Sequence, residues 1–207
     1  MAQVQINFYL VDIQDRVNET ERATITGRLG AWMWRLVGLV PDLNAVQIGW
    51  STGSGRPSLG ATDILVYVTT DVDRSVIAAN GGNVSMAASN TKVLGLTAVD
   101  ATNKTALSEV YWGRATASKA GVGKGPGQSE LAGAAFHESA HNKSLQDNQM
   151  HNGKDGLLVE APHYSADPTK ANLEFLAKFV LTPVKQILVS QNTLKNTWYG
   201  VGASPTP

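Results

Sequence analysis

The chain has 207 residues, no cysteine, a formal net charge of +0 and only 16% charged residues. That length suits one domain and can bury a core without covalent staples. The missing cysteine excludes disulfides, thiolate metal sites and a cysteine nucleophile, and the balanced charge excludes a dedicated nucleic-acid binder.

The first residues, MAQVQINFYLVDIQD, alternate apolar and polar through Val4, Ile6, Phe8 and Leu10, the period of a half-buried strand. They carry no basic n-region and no small-residue cleavage site, so they read as a first strand rather than a signal peptide. The expectation is a protein kept inside the cell or exported by a signal-independent route. A helix is predicted over 20–37, with Ile25, Leu29, Trp32 and Leu36 on one face. Pro41 and Asp42 end it. The best apolar run, 31–40, is interrupted by Arg35, and no run of about 18 apolar residues exists, so no spanning helix and no membrane partner are expected.

A strand follows over 45–50, then a Gly/Ser-rich loop over 51–60. The continuous apolar run 64–68 suits a strand covered on both faces. Asp71 and Asp73 form a candidate calcium pair. Residues 80–90 are small and polar and read as a loop, with strands over 92–99 and 108–112 beyond. The Gly-rich stretch 121–127 lacks the spacing of a phosphate-binding loop.

A helix is then predicted over 129–145 and carries His137-Glu138-Ser139-Ala140-His141. Residues i and i+4 of a helix share a face, so both imidazoles reach one ion while Glu138 projects beside them. Two neutral histidines with an adjacent carboxylate are the H-E-x-x-H arrangement of metal-assisted hydrolysis. Zinc suits imidazole ligands and leaves a position open for water. The stretch 146–166 is irregular. Asp167-Pro168 predicts the start of a last helix with Leu173, Leu176 and Val180 inward and Pro183 ending it. Residues 201–207 read as a flexible tail.

From His137 to Asp147 the sequence HESAHNKSLQD resembles the metzincin clan of zinc peptidases, whose signature is H-E-x-x-H-x-x-G-x-x-H, with Asp as last ligand in a minority. Ser144 stands where that clan has Gly. The resemblance implies an α+β, zincin-like single domain over 1–200, with a mixed twisted sheet, an active-site helix and a C-terminal helix. It implies one catalytic zinc held by His137, His141 and Asp147, and a strand near 92–99 pairing with an extended peptide or protein substrate. It also implies Glu138 as general base in a zinc-dependent endopeptidase.

The clan has a Met-containing turn below the metal, and one version of it reads Leu-Met-Tyr-Pro-x-Tyr. Pro162 and Tyr164 fall in its register, with Glu160 at the Met position. Tyr164 would bind the metal or steady an oxyanion, or else be a packed aromatic. Glu160 also follows His141 at the spacing of the Glu ligand in gluzincin aminopeptidases. The order of third-ligand candidates is therefore Asp147, Glu160, His151. His163 reads as a surface residue or one that supports a ligand, rather than a ligand itself. Two other readings stand beside the peptidase: a degraded zincin fold serving as a structural or interaction component of a larger assembly, and a metal-dependent hydrolase of a non-peptide acyl group. Nothing in the sequence sets an oligomeric state.

Overall fold

The computed structural model describes residues 4–52, 58–117, 127–146, 149–152, 156–159 and 162–188. Alternation along β1 (Val4–Asp12) buries Ile6, Phe8 and Leu10 on one face of the sheet. Val11 and Ile13 are buried on the other face, so the strand's far end is covered on both sides. Helix α1 (Glu19–Trp34) opens with a capping box, in which the Asn18 side chain accepts from Glu21 N and the Glu21 carboxylate accepts from Asn18 N. Its inward stripe continues through a 3-10 turn (Arg35–Gly38) that carries Leu36 into the core.

Strand β2 (Leu43–Thr52) returns parallel to β1. Strand β3 (Ile64–Thr69), the apolar run of the sequence, is buried at every residue. Short helices α2 (Val76–Ala79) and α3 (Ser85–Ser89) follow, then β4 (Gly95–Asp100) and β5 (Thr105–Tyr111). Helix α4 (Trp112–Ala117), helix α5 (Gly127–Ser144), a 3-10 turn (Gln149–Asn152), helix α6 (Lys170–Phe179) and β6 (Lys185–Gln186) complete the described chain.

The sheet is mixed, in the order β2-β1-β3-β5-β4, with β6 pairing the start of β5. Strands β1, β2, β3 and β5 run parallel, while β4 is antiparallel to β5 and forms an edge. Helices α1 and α5 pack on one face over the larger core. A smaller cluster with Val76 and Ile77 of α2 covers part of the other. The architecture is therefore α+β with a mixed sheet, and among the described residues no helix is long and apolar enough to cross a membrane.

Several expectations are corrected. The expected loop 80–90 contains α3. The fourth strand begins at Gly95, not 92, because the Arg114 guanidinium takes the carbonyls of Ala87, Asn90 and Val93 and holds that segment in a turn. The fifth begins at Thr105, and Trp112 already belongs to α4. The last helix starts at Lys170 and is capped by Thr169 in a box with Asn172. Asp167 does not cap it, because its carboxylate accepts from Arg28 Nη2 and Trp32 Nε1 of α1.

Candidate metal centre

Helix α5 is buried along nearly its whole length, which its run of small residues permits. Ala132, Ala134, Ala135 and Ala140 have no exposed surface, so neighbouring elements come close. At Gly133 the contact is backbone to backbone. A Cβ there would lie 2.7 Å from Tyr164 C and 2.9 Å from Tyr164 Cα, with the Tyr164 carbonyl oxygen nearer still. Only glycine admits the 162–166 segment at this distance.

His137 and His141 are one turn apart on α5 and almost fully buried, at 4% and 7% exposure. His137 Nδ1 lies 2.5 Å from Leu157 O, and His141 Nδ1 lies 2.8 Å from Gln146 O. A carbonyl only accepts, so each Nδ1 carries the proton and each Nε2 keeps its lone pair. Those two Nε2 atoms are 3.2 Å apart. His151, on the 3-10 turn Gln149–Asn152, puts its Nε2 3.4 Å from His137 Nε2. The ligand atoms of all three histidines lie within 4.8 Å of one another.

Two imidazole lone pairs facing each other at this range repel unless a cation sits between them. For metal–nitrogen bonds of about 2.05 Å in a tetrahedron, the nitrogen–nitrogen edge is about 3.3 Å. The observed 3.2 and 3.4 Å bracket that value. Burial, and then the neighbouring His141 and His151, push His137 down to about 3, so it is neutral and ready to ligate near pH 7. The backbone carbonyls behind the rings fix tautomer and orientation, as the outer partners of metal-bound histidines do. The three histidines can therefore hold a metal ion.

Glu138 points to the sheet edge. Thr97 Oγ1, on β4, donates to Glu138 Oε2 at 2.7 Å. A Cβ on Gly95 would lie 2.8 Å from both Glu138 Cγ and Oε1. The carboxyl is 2% exposed, and burial, reinforced by the Glu109 charge and opposed by the Thr97 bond, pushes it up to about 8. A cation on the three histidines would draw it back down.

Tyr164 sets its ring edge-on to His137, with centroids 5.8 Å apart. Burial first, then Glu138 and Glu130, raises its phenol well above the usual range, so it stays protonated and able to donate.

Of the third-ligand candidates, His151 is the one brought to His137 and His141, while Asp147 and Glu160 lie outside the described residues. His163 is exposed, as expected. In the candidate calcium pair, Asp71 Oδ1 accepts from Arg114 Nε at 2.5 Å and Asp73 lies 3.7 Å from Arg74, so each carboxylate faces a guanidinium. Among the described residues the histidine triad is the one group of three or more such side chains disposed to hold a metal.

Thr97, Gly95, Gly133 and the carbonyls of Gln146 and Leu157 were not singled out in the sequence. Gly95 carried a usable signal, since a glycine inside a predicted strand marks a close approach. Thr97 carried none, because its partner lies 41 residues away. No protein-family model, no curated protein and no solved structure matches the chain, and the reading of this centre rests on its own geometry.

Proposed function

We propose that this chain is a zinc-dependent peptidase of the zincin type, with His137, His141 and His151 as metal ligands and Glu138 as general base. The observation that carries the reading is the pair of deprotonated Nε2 atoms on α5, 3.2 Å apart, with a third Nε2 at 3.4 Å. An all-imidazole donor set suits zinc and argues against magnesium or calcium, which prefer oxygen. A zinc ion held there supplies a Lewis acid that activates water and polarises an acyl oxygen.

The protein's own groups do the rest. Glu138, held from β4, takes the proton of the attacking water and passes it to the leaving amine. Tyr164, kept protonated beside His137, donates to the oxyanion. Strand β4 is bonded on one side to β5 and lies at the sheet edge next to α5. Its other side offers main-chain donors and acceptors to an extended peptide, which favours a peptide over other acyl substrates.

The test is elemental analysis after zinc loading, beside hydrolysis of a fluorescence-quenched library of unstructured peptides. One zinc per chain is expected, lost in His137→Ala and His151→Ala. Glu138→Gln keeps the zinc and loses at least about a hundredfold in turnover. Full turnover in Glu138→Gln, or no zinc in the loaded wild type, refutes the proposal. One zinc per chain with no peptide turned over would instead mark a structural or interaction component that keeps the fold.

A further inference from the structure

Glu138 is the end of a buried polar chain that crosses the sheet edge. Glu138 and Asn142 stand one turn apart on α5, on the stripe beside the histidines. Asn142 Nδ2 donates to Ser108 Oγ of β5 at 2.9 Å and to Gln186 Oε1 of β6 at 2.9 Å. Gln186 Nε2 returns a bond to Asn142 Oδ1 at 2.9 Å and also donates to Asp63 O at 3.3 Å. The Ser108 and Thr97 hydroxyls are 3.0 Å apart, and Thr97 Oγ1 is 2.7 Å from Glu138 Oε2. Ser108 and Asn142 have no exposed surface, and Gln186 is 8% exposed.

The direction of the bonds can be assigned from the far end. Asp63 O only accepts, so the Gln186 amide must present its nitrogen there and its oxygen to Asn142. Asn142 then has both N–H groups committed, one to Gln186 and one to Ser108. Ser108 Oγ is thereby an acceptor from Asn142, and its own proton fills the 3.0 Å contact to Thr97. The single Thr97 proton goes to the carboxylate, the closest and most basic partner available. The Gln186–Asn142 link is reciprocal, and from Asn142 through Ser108 and Thr97 every donor points toward Glu138.

We infer that Asn142, fixed by its reciprocal pair with Gln186, begins a one-way hydrogen-bond chain through Ser108 and Thr97 that keeps Glu138 Oε2 an acceptor and leaves Oε1 as the oxygen that takes the proton. Thr97 is the positioning residue at its end. The inference rests on the reading of Glu138 as the base. Oε1 is the oxygen nearest the Cβ position of Gly95, so a glycine there leaves room where the proton must arrive. A satisfied buried network with no part in the chemistry would fix the fold equally well, and the experiment must separate the two.

Thr97→Val keeps shape and strand preference and removes the donor, while Thr97→Ser restores it. All proteins are zinc-loaded, and zinc content is checked. The first readout is the infrared carboxylate band of Glu138 in protein carrying isotope-labelled glutamate, assigned by its absence in Glu138→Gln. It is expected to shift in Thr97→Val and to return in Thr97→Ser. The second is turnover of the peptide library: kcat falls about ten- to a hundredfold in Thr97→Val, with KM within about twofold, and Thr97→Ser recovers most of it. An unmoved band, or an unchanged kcat in Thr97→Val, overturns the inference. Wild-type turnover in Glu138→Gln is the separate failure, that of Glu138 as base. The band needs no substrate, so it tests the chain of bonds even if the peptidase reading falls.

Discussion

Replacing Gly133 by alanine should destabilise the protein, against the usual sign for a helix interior. Alanine is favoured over glycine in a helix by about 1 kcal/mol. Here the added Cβ would stand 2.7 Å from Tyr164 C and closer still to its carbonyl oxygen. Reaching an ordinary carbon contact of about 3.5 Å needs a backbone shift of at least about 0.8 Å, and clearing the carbonyl oxygen needs more, while backbone cannot rotate aside as a side chain can. Overpacking of this kind costs about 1–3 kcal/mol or more, and a backbone neighbour puts it at the upper end. Set against the propensity gain, the net loss is about 1–2 kcal/mol. For a chain of this size that lowers Tm by about 2–8 °C. Gly27 of α1 is the control, because it is exposed and a Cβ there meets nothing within 4 Å. Gly27→Ala should gain up to about 1 kcal/mol and raise Tm by about 2–4 °C. Thermal unfolding followed by circular dichroism on both variants decides the matter. Equal stabilisation in the two would mean that residues 162–166 do not lie on α5, and Tyr164 would lose its place beside His137.

Three further outcomes follow from a buried carboxylate, an exposed carboxylate and a strained leucine. Glu109 accepts from Ser75 Oγ, Val76 N, Ile77 N and Tyr111 Oη, so Glu109→Ala orphans three donors at the start of α2 and the Tyr111 hydroxyl of β5; a loss of about 3 kcal/mol or more in urea unfolding is expected, and a loss under 1 kcal/mol would contradict the arrangement. Asp100, the last residue of β4, is held below the usual carboxylate range mainly by the Asn103 N–H, with help from the Asn103 side chain and Thr102 N. A lowered folded value means its contribution is present above the unfolded value of 3.8 and is lost as pH falls through the folded one. Stability of Asp100→Asn should therefore fall less than wild type below about pH 4, and parallel acid-unfolding curves would refute this. Leu145 has φ of 53°, so Leu145→Gly relieves about 1 kcal/mol of backbone strain that offsets its lost packing, whereas Leu145→Ile adds strain and should cost about 1–2 kcal/mol in the same urea assay.

Elements defined by their own period were readable in the sequence. The alternation of β1, the apolar run of β3 and the stripe of α1 each repeat enough to signal one structure. Helices α3 and α4, with five and six residues, are too short to show a period and were missed. Long-range partners were equally invisible. Asp167 sits before a proline like a helix cap, yet Arg28 and Trp32, 139 and 135 residues earlier, claim its carboxylate. Lys143 looks like a solvated helix residue, but its ammonium is buried and donates to Thr62 O and Thr182 O.

The candidates for a third ligand follow the same logic. The spacing rule that ranked Asp147 first assumes a reversal at position 144, where the resembling signature has glycine. Here α5 runs through Ser144, and the positive φ falls one residue later, at Leu145. Leu145 N still bonds His141 O, and Gln146 O receives the Nδ1 proton of His141, so the turn is spent on orienting that ring. A reversal displaced by one residue removes the premise on which the sixth residue after His141 was ranked first, and Asp147 itself lies outside the described residues. The 3-10 turn Gln149–Asn152, with Met150 buried, brings His151 to the pair. A motif spacing transfers from one chain to another only when the backbone conformation that produced it transfers too, and Ser144, still helical here, marks where this backbone departs from the one the signature assumes.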